Sequence, residues 1–81
     1  MINLTRVLED IAKGIVEHPD EVKVTSAVDE ENENAITLTL SVAEGDMGMI
    51  IGKHGKISRA IRTVMKAAAK IADQKVTIEI K

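Results

Sequence analysis

The chain has 81 residues, 44% of them apolar and 30% charged, with no cysteine, tryptophan, tyrosine or phenylalanine. That length suits a single domain, residues 1–81, whose core must be aliphatic; disulfides, thiol catalysis, cysteine zinc sites and any platform that stacks bases on aromatic rings are excluded. The formal net charge of −2 is unevenly spread: Met47 to Ala72 carries six bases and no acid, leaving five bases against thirteen acids, a net −8, in the remainder.

Leu4, Val7, Leu8, Ile11, Ile15 and Val16 recur at helical spacing from Asn3 to about Glu17, with Asn3 placed to cap the start and His18-Pro19-Asp20 to end the run. Val22, Val24 and Val28, and then Ile36, Leu38, Leu40 and Val42, alternate with polar or small residues on either side of an acidic stretch, Asp29 to Asn34. This pattern predicts a hairpin of two half-buried strands. The turn glutamates Glu30, Glu31 and Glu33 lack the glycine and terminal glutamate of a calcium loop and read as a solvated tip.

Asp46 is expected to cap a short helix over Met47 to Ile51. A longer helix is predicted from Lys56 to Ala72, with Ile57, Ile61, Val64, Ala68 and Ile71 on one side and Lys56, Arg59, Arg62, Lys66 and Lys70 on the other. Val76, Ile78 and Ile80 alternate with Thr77, Glu79 and Lys81 as a final strand. The predicted order is helix, strand, strand, helix, helix, strand, without a repeat, a linker or a low-complexity segment.

Between the two later helices lies Gly52-Lys53-His54-Gly55. Two glycines permit a tight turn and close approach of a ligand, two residues can carry positive charge, and the helix that follows presents N–H groups and a positive dipole end. These are the elements of a phosphate clamp. They do not make a nucleotide phosphate loop, because the glycines are too close together and Gly55-Lys56 is followed by Ile57. His18 and His54 lack metal-ligand spacing, and no serine sits in a glycine-flanked elbow, so neither an enzyme nor a metal or organic cofactor is expected. Charge alone leaves a solvated basic face and a polyanion site both open. The start at Met1 has no secretory apolar region and no stretch suits a bilayer, so a cytoplasmic protein without a membrane partner is expected.

The stretch Ile50-Ile51-Gly52-Lys53-His54-Gly55-Lys56, continuing into Arg59-Ala60-Ile61-Arg62-Thr63-Val64-Met65-Lys66-Ala67-Ala68-Ala69, resembles the KH domain of RNA-binding proteins. Together with small size and helix-first order, the likeness extends over essentially the whole chain to the bacterial stand-alone KH proteins of the KhpA type. It implies an α+β, type II KH domain of order α-β-β-α-α-β, a three-stranded mixed sheet with helices on one face. The position three residues beyond the second glycine, usually large and apolar in KH domains, is Ser58 here; a small residue there is in keeping with the KhpA-like group.

Carried onto this sequence, the resemblance implies a single-stranded RNA binder, of the RNA-chaperone or post-transcriptional regulator type, whose backbone clamp is Gly52, Lys53, His54 and Gly55. Lys56 and Arg59 are the expected secondary phosphate contacts. Met49 and Ile51 are the candidate groove floor, and Ile50 is assigned to the core. Lys66 and Lys70, farther along, are read as solubilising the helix. An apolar side widened by Met65, Ala69 and Ala72 suggests a dimer interface at Ile61, Met65, Ala69 and Ala72. KhpA-like proteins pair with themselves and with a larger KH-containing RNA-binding protein, which implies the same partners here. The competing readings are a protein-interaction subunit whose partner binds RNA, and a ribosome-assembly factor.

Overall fold

Residues 3–81 are described in the computed structural model, apart from the side chain of Lys53. Helix α1 (Leu4–Lys13) begins as its sequence directs, with the Asn3 side chain accepting a hydrogen bond from the Arg6 N–H at 3.2 Å. Leu4, Leu8 and Ala12, spaced four apart, form its buried stripe. The helix stops at Lys13, short of the expected Glu17, for a specific reason. The N–H groups of Glu17 and His18 do not return to helix carbonyls; they donate to the Asp46 carboxylate at 3.2 and 3.1 Å. A 3-10 turn over Pro19–Glu21 then leads into the sheet.

Strand β1 (Lys23–Val28) pairs antiparallel with β2 (Ala35–Ser41), from Lys23 opposite Ser41 to Val28 opposite Ile36. Strand β3 (Lys75–Ile80) lies on the other side of β2 in parallel register, Ala35 opposite Lys75. The sheet order is therefore β1-β2-β3, mixed, with β3 at an edge. Its apolar face, built from Val24, Ile36, Leu38, Leu40, Val76, Ile78 and Ile80, packs under the helices in one core with Leu8, Ile50, Ile61 and Met65. The opposite face reads Thr25, Thr37, Thr39 and Thr77 across the strands and carries no helix, as period-two alternation requires.

The connection between the parallel strands is α2 (Glu44–Ile71), one hydrogen-bonded run of 28 residues. A straight helix of that length would measure roughly 42 Å, whereas the longest extent of the chain is 35 Å. The run is bent at His54 and Gly55, whose φ angles of 61° and 70° are left-handed. Two right-handed arms therefore meet at a corner, and the three helical segments of the expected order are α1, the arm before His54 and the arm after Gly55. This is the type II KH arrangement that the resemblance implied.

The first arm starts at Glu44, three residues earlier than expected. Its N-cap, Ala43, offers no side-chain bond, and Asp46 sits inside the first turn with its carboxylate turned away toward the α1–β1 connection. The second arm ends on a left-handed Asp73 (φ 57°), with Gln74 N–H donating to Ala69 O at 2.8 Å and Asp73 N–H to Lys70 O at 3.1 Å. That paired closure is usual with glycine at the left-handed place; aspartate tolerates it better than most side chains.

Candidate nucleic-acid interface

The corner holds itself together without using an acid. Ser58, nearly buried, donates its hydroxyl to Gly55 O at 3.0 Å, and the Arg59 guanidinium donates to His54 O at 2.7 Å. This explains a serine where a large apolar residue is usual in KH domains: its Oγ lies 3.3 Å from where a Cβ on Gly55 would be, and the hydroxyl ties off the carbonyl that the turn leaves behind. Gly55 is needed for its positive φ and its crowding by Ser58. At Gly52 a Cβ would meet nothing within 4 Å, a property shared with Gly45 and Gly48, so the fold's own packing does not demand that glycine.

Position along the second arm sorts its side chains into three strips, at about 100° per residue. Ile61, Met65 and Ala69, with Ser58, form the buried ridge. Arg59, Arg62, Lys66 and Lys70 lie on one flank of that ridge. Ile57, Ala60, Val64 and Ile71 lie on the other, where Val64 is 49% and Ile71 77% exposed. The core is thus made by Met65 and Ala69 rather than by Val64 and Ile71 as the periodicity suggested. It also follows that Ile61, Met65 and Ala69 are not available as a dimer interface: they are 2%, 0% and 2% exposed within a single chain, and Ala72 is half-buried.

The cationic flank faces the free edge of β3. Between them lies a groove of about 230 Å³ lined by Arg62, Lys66, Val76, Thr77 and Ile78. Sequence reasoning missed Arg62 as a groove residue, assigned Lys66 to solubility, and had no means of placing β3 at an edge; strand order is the missing information. Among the described residues, no carboxylate lies within ion-pair distance of Lys56, Arg59, Arg62, Lys66 or Lys70. His54, Lys56 and Arg59 are exposed, although one Arg59 N–H group is already committed to the corner. The side chain of Lys53, named in the clamp, lies outside the described residues.

On the first arm, Ile50 is fully buried as expected, while Met49 and Ile51 are 38% and 52% exposed. Residues two apart on a helix do not share a face. Met49 and Ile51 therefore flank Ile50 on opposite sides, and they cannot both floor one groove.

Asp46 fixes where this arm starts. Its Oδ1 accepts from Glu17 N–H, and its Oδ2 accepts from His18 N–H and lies 3.2 Å from His18 Nδ1. Burial works against the charged carboxylate, but the hydrogen bonds from Glu17 and His18 outweigh it and hold the pKa below the ordinary 3.8. A depressed pKa contributes stability that is present above the unfolded value and lost as the pH falls through the folded one. Asp46→Asn is therefore expected to lower the thermal midpoint at neutral pH and to flatten its decline below about pH 4, followed by circular dichroism. Parallel pH curves for the two proteins would show that the carboxylate carries no such linkage.

Comparison with known proteins agrees with this geometry. The family described as KhpA/KhpB, KH domain, matches residues 5–80. Among curated proteins, the chain is similar to RNA-binding protein KhpA of Clostridium acetobutylicum, 48% identical over 95% of this chain and 99% of that one. It is likewise similar to its namesake in Listeria monocytogenes, 39% identical over 95% and 97% of the two chains. Among solved structures, Era in complex with a magnesium-bound nucleotide and nucleotides 1506–1542 of 16S ribosomal RNA superposes with a TM-score of 0.67 at 19% identity, over 95% of this chain and 28% of Era. Era of Aquifex aeolicus gives 0.66 at 20% identity over 95% and 29%. Those two likenesses concern the fold.

Proposed function

The chain belongs to the KhpA/KhpB KH-domain family, and we propose that it binds single-stranded RNA, turning the strand's phosphates onto the His54-Gly55 corner and laying about four nucleotides along the groove between α2 and β3. The observation that carries this reading is the acid-free flank of Arg59, Arg62 and Lys66 set opposite the unpaired edge of β3. Phosphates take the charges. Bases take what remains: aliphatic contact with Val76 and Ile78, and the peptide groups of an edge strand that no other strand satisfies.

The clamp proposed on Gly52, Lys53, His54 and Gly55 draws support from the exposed left-handed corner, with Lys56 behind it and either Met49 or Ile51 beside it. Contacts to phosphate position a strand without reading its sequence, so selectivity should be weak. No catalytic step and no cofactor belong to this function, and its place is the cytoplasm; among the described residues no helix is long and apolar enough to cross a membrane. Titration of a labelled, unstructured RNA with the isolated chain is expected to show binding whose log–log salt slope is about −0.7 for each phosphate neutralised, hence roughly −2 to −3 for three or four. Binding that occurs only after a larger KH-containing protein is added would make the chain an interaction subunit instead.

A second property, pairing, rests on a different surface. Ile11, Ile15, Ile57, Ala60 and Val64 surround a cavity of about 310 Å³ between α1 and the second arm of α2, over the buried Ile61 and with no polar residue among them. We place the contact with a second copy, or with the KH domain of a larger RNA-binding partner, on this flank. It is turned away from the cationic one, so a paired protein keeps both RNA grooves open.

A further inference from the structure

The groove beside β3 has neighbours farther along the same helix. A second segment of about 250 Å³, lined by Lys66, Lys70, Gln74, Lys75 and Val76, shares Lys66 and Val76 with the first. A third, of about 320 Å³, shares Gln74 with the second and opens between the start of α1 and β1. The three cavities neighbour one another through shared lining residues, Lys66 and Val76 and then Gln74, along a path that starts at Arg62 on the second arm of α2, passes Gln74 and reaches the space between α1 and β1.

The chemistry changes along it in a definite order. The first two segments carry Arg62, Lys66, Lys70 and Lys75 and no acid. Asp73, the nearest carboxylate in sequence, is exposed and lines none of the three. Among the described residues, the third segment has no charged side chain. Leu4, Val28 and Ile36 make an apolar floor, and Thr5, Ser26 and Gln74 supply polar groups at its rim. Val28, 59% exposed on an edge strand, is an apolar side chain that the fold leaves uncovered. A nucleobase has matching properties: flat, apolar faces, neutral overall, with donors and acceptors around its edge. Gln74 is held at the bend by its backbone N–H on Ala69 O, and among the described residues its side-chain amide has no hydrogen bond within the chain. Such an amide can both donate to and accept from a base edge.

We infer that the RNA strand continues past the KH groove, its phosphates on Lys70 and Lys75, and seats a further base in the cavity between α1 and β1. This rests on the RNA-binding reading above and extends its length of contact. Nothing in the inference requires a second protein or a particular sequence.

The test compares two unstructured oligonucleotides of alternating adenosine and cytidine, about four and about nine nucleotides long, bound to the whole protein and followed by NMR chemical-shift titration, which reads weak binding. Beyond the statistical gain from extra registers, the longer RNA should bind at least about tenfold tighter, the worth of one added charge-assisted contact. Its shifts should reach Ser26 and Gln74, and those of the short RNA should not. Ser26→Phe, which fills the third segment from an exposed strand position, and Lys75→Gln should each remove most of that gain while leaving the short RNA's affinity as it was. Equal affinity per register for both lengths, or a gain that survives both substitutions, would overturn the extension and leave the four-nucleotide groove standing. Failure of both RNAs to bind would remove the groove, and the extension with it.

Discussion

Replacing Lys53 and His54 together by aspartate is expected to abolish detectable RNA binding while the circular dichroism spectrum stays native. Both residues belong to the corner segment where the RNA backbone is proposed to turn. Each hydrogen bond to a charged phosphate contributes on the order of 1.5 to 3 kcal/mol, so loss of both removes about 3 to 6 kcal/mol, a factor of roughly 10² to 10⁴ in affinity. The introduced carboxylates then repel the strand besides. The fold should tolerate the change, because His54 is exposed and left-handed (φ 61°), a conformation aspartate accepts better than most residues. The corner's own ties, Ser58 to Gly55 O and Arg59 to His54 O, use backbone oxygens that the substitution leaves in place. Unchanged affinity in a folded double variant would move the RNA away from the corner; lost affinity with an altered spectrum would call for His54→Asn, which keeps the left-handed turn and removes the titratable ring.

How much of this was legible beforehand depends on the range of the interaction concerned. Local signals were reliable: Asn3 as a cap, the period-two valines of β1, the isoleucines of β3 and the bend near Gly55 all follow from neighbours a few residues apart. Asp46 was read as a cap by the same local logic and the structure places it otherwise, because its partners, Glu17 and His18, lie 29 and 28 residues away. That one long-range contact displaced two boundaries at once, the end of α1 and the start of α2. The second arm shows the same limit in another form. Periodicity finds an apolar stripe, but several overlapping stripes were available, and the sheet chose the one centred on Met65 and Ala69 over the more hydrophobic one through Val64 and Ile71. For the candidate site, the clamp was visible in sequence because it is contiguous; the groove was not, since Arg62, Lys66 and Val76 meet only through the order of the strands.

Val64 and Met65, adjacent in sequence, should give opposite results, and the pair separates core from contact surface more sharply than either alone. Met65 is fully buried among Leu8, Leu38, Ile50 and Ile61. Met65→Ala removes its side chain from a close-packed interior and leaves a void, at a loss of about 2 to 5 kcal/mol. For a domain of 81 residues, whose total stability at 0.05 to 0.15 kcal/mol per residue is about 4 to 12 kcal/mol, that is a large share. The urea midpoint should fall steeply. Val64→Asp should instead leave the midpoint within about 1 kcal/mol of the parent, because the side chain is half exposed and the two residues have similar helix propensities. Its effect should fall on particle mass. If pairing uses the cavity beside Ile11 and Ile57, a carboxylate there is buried without a partner on association, and light scattering at micromolar concentration should report one chain where the parent reports two. A parent that already scatters as a single chain would withdraw the pairing surface; a Val64→Asp protein that still pairs would move it to another face, and the open threonine side of the sheet would be next.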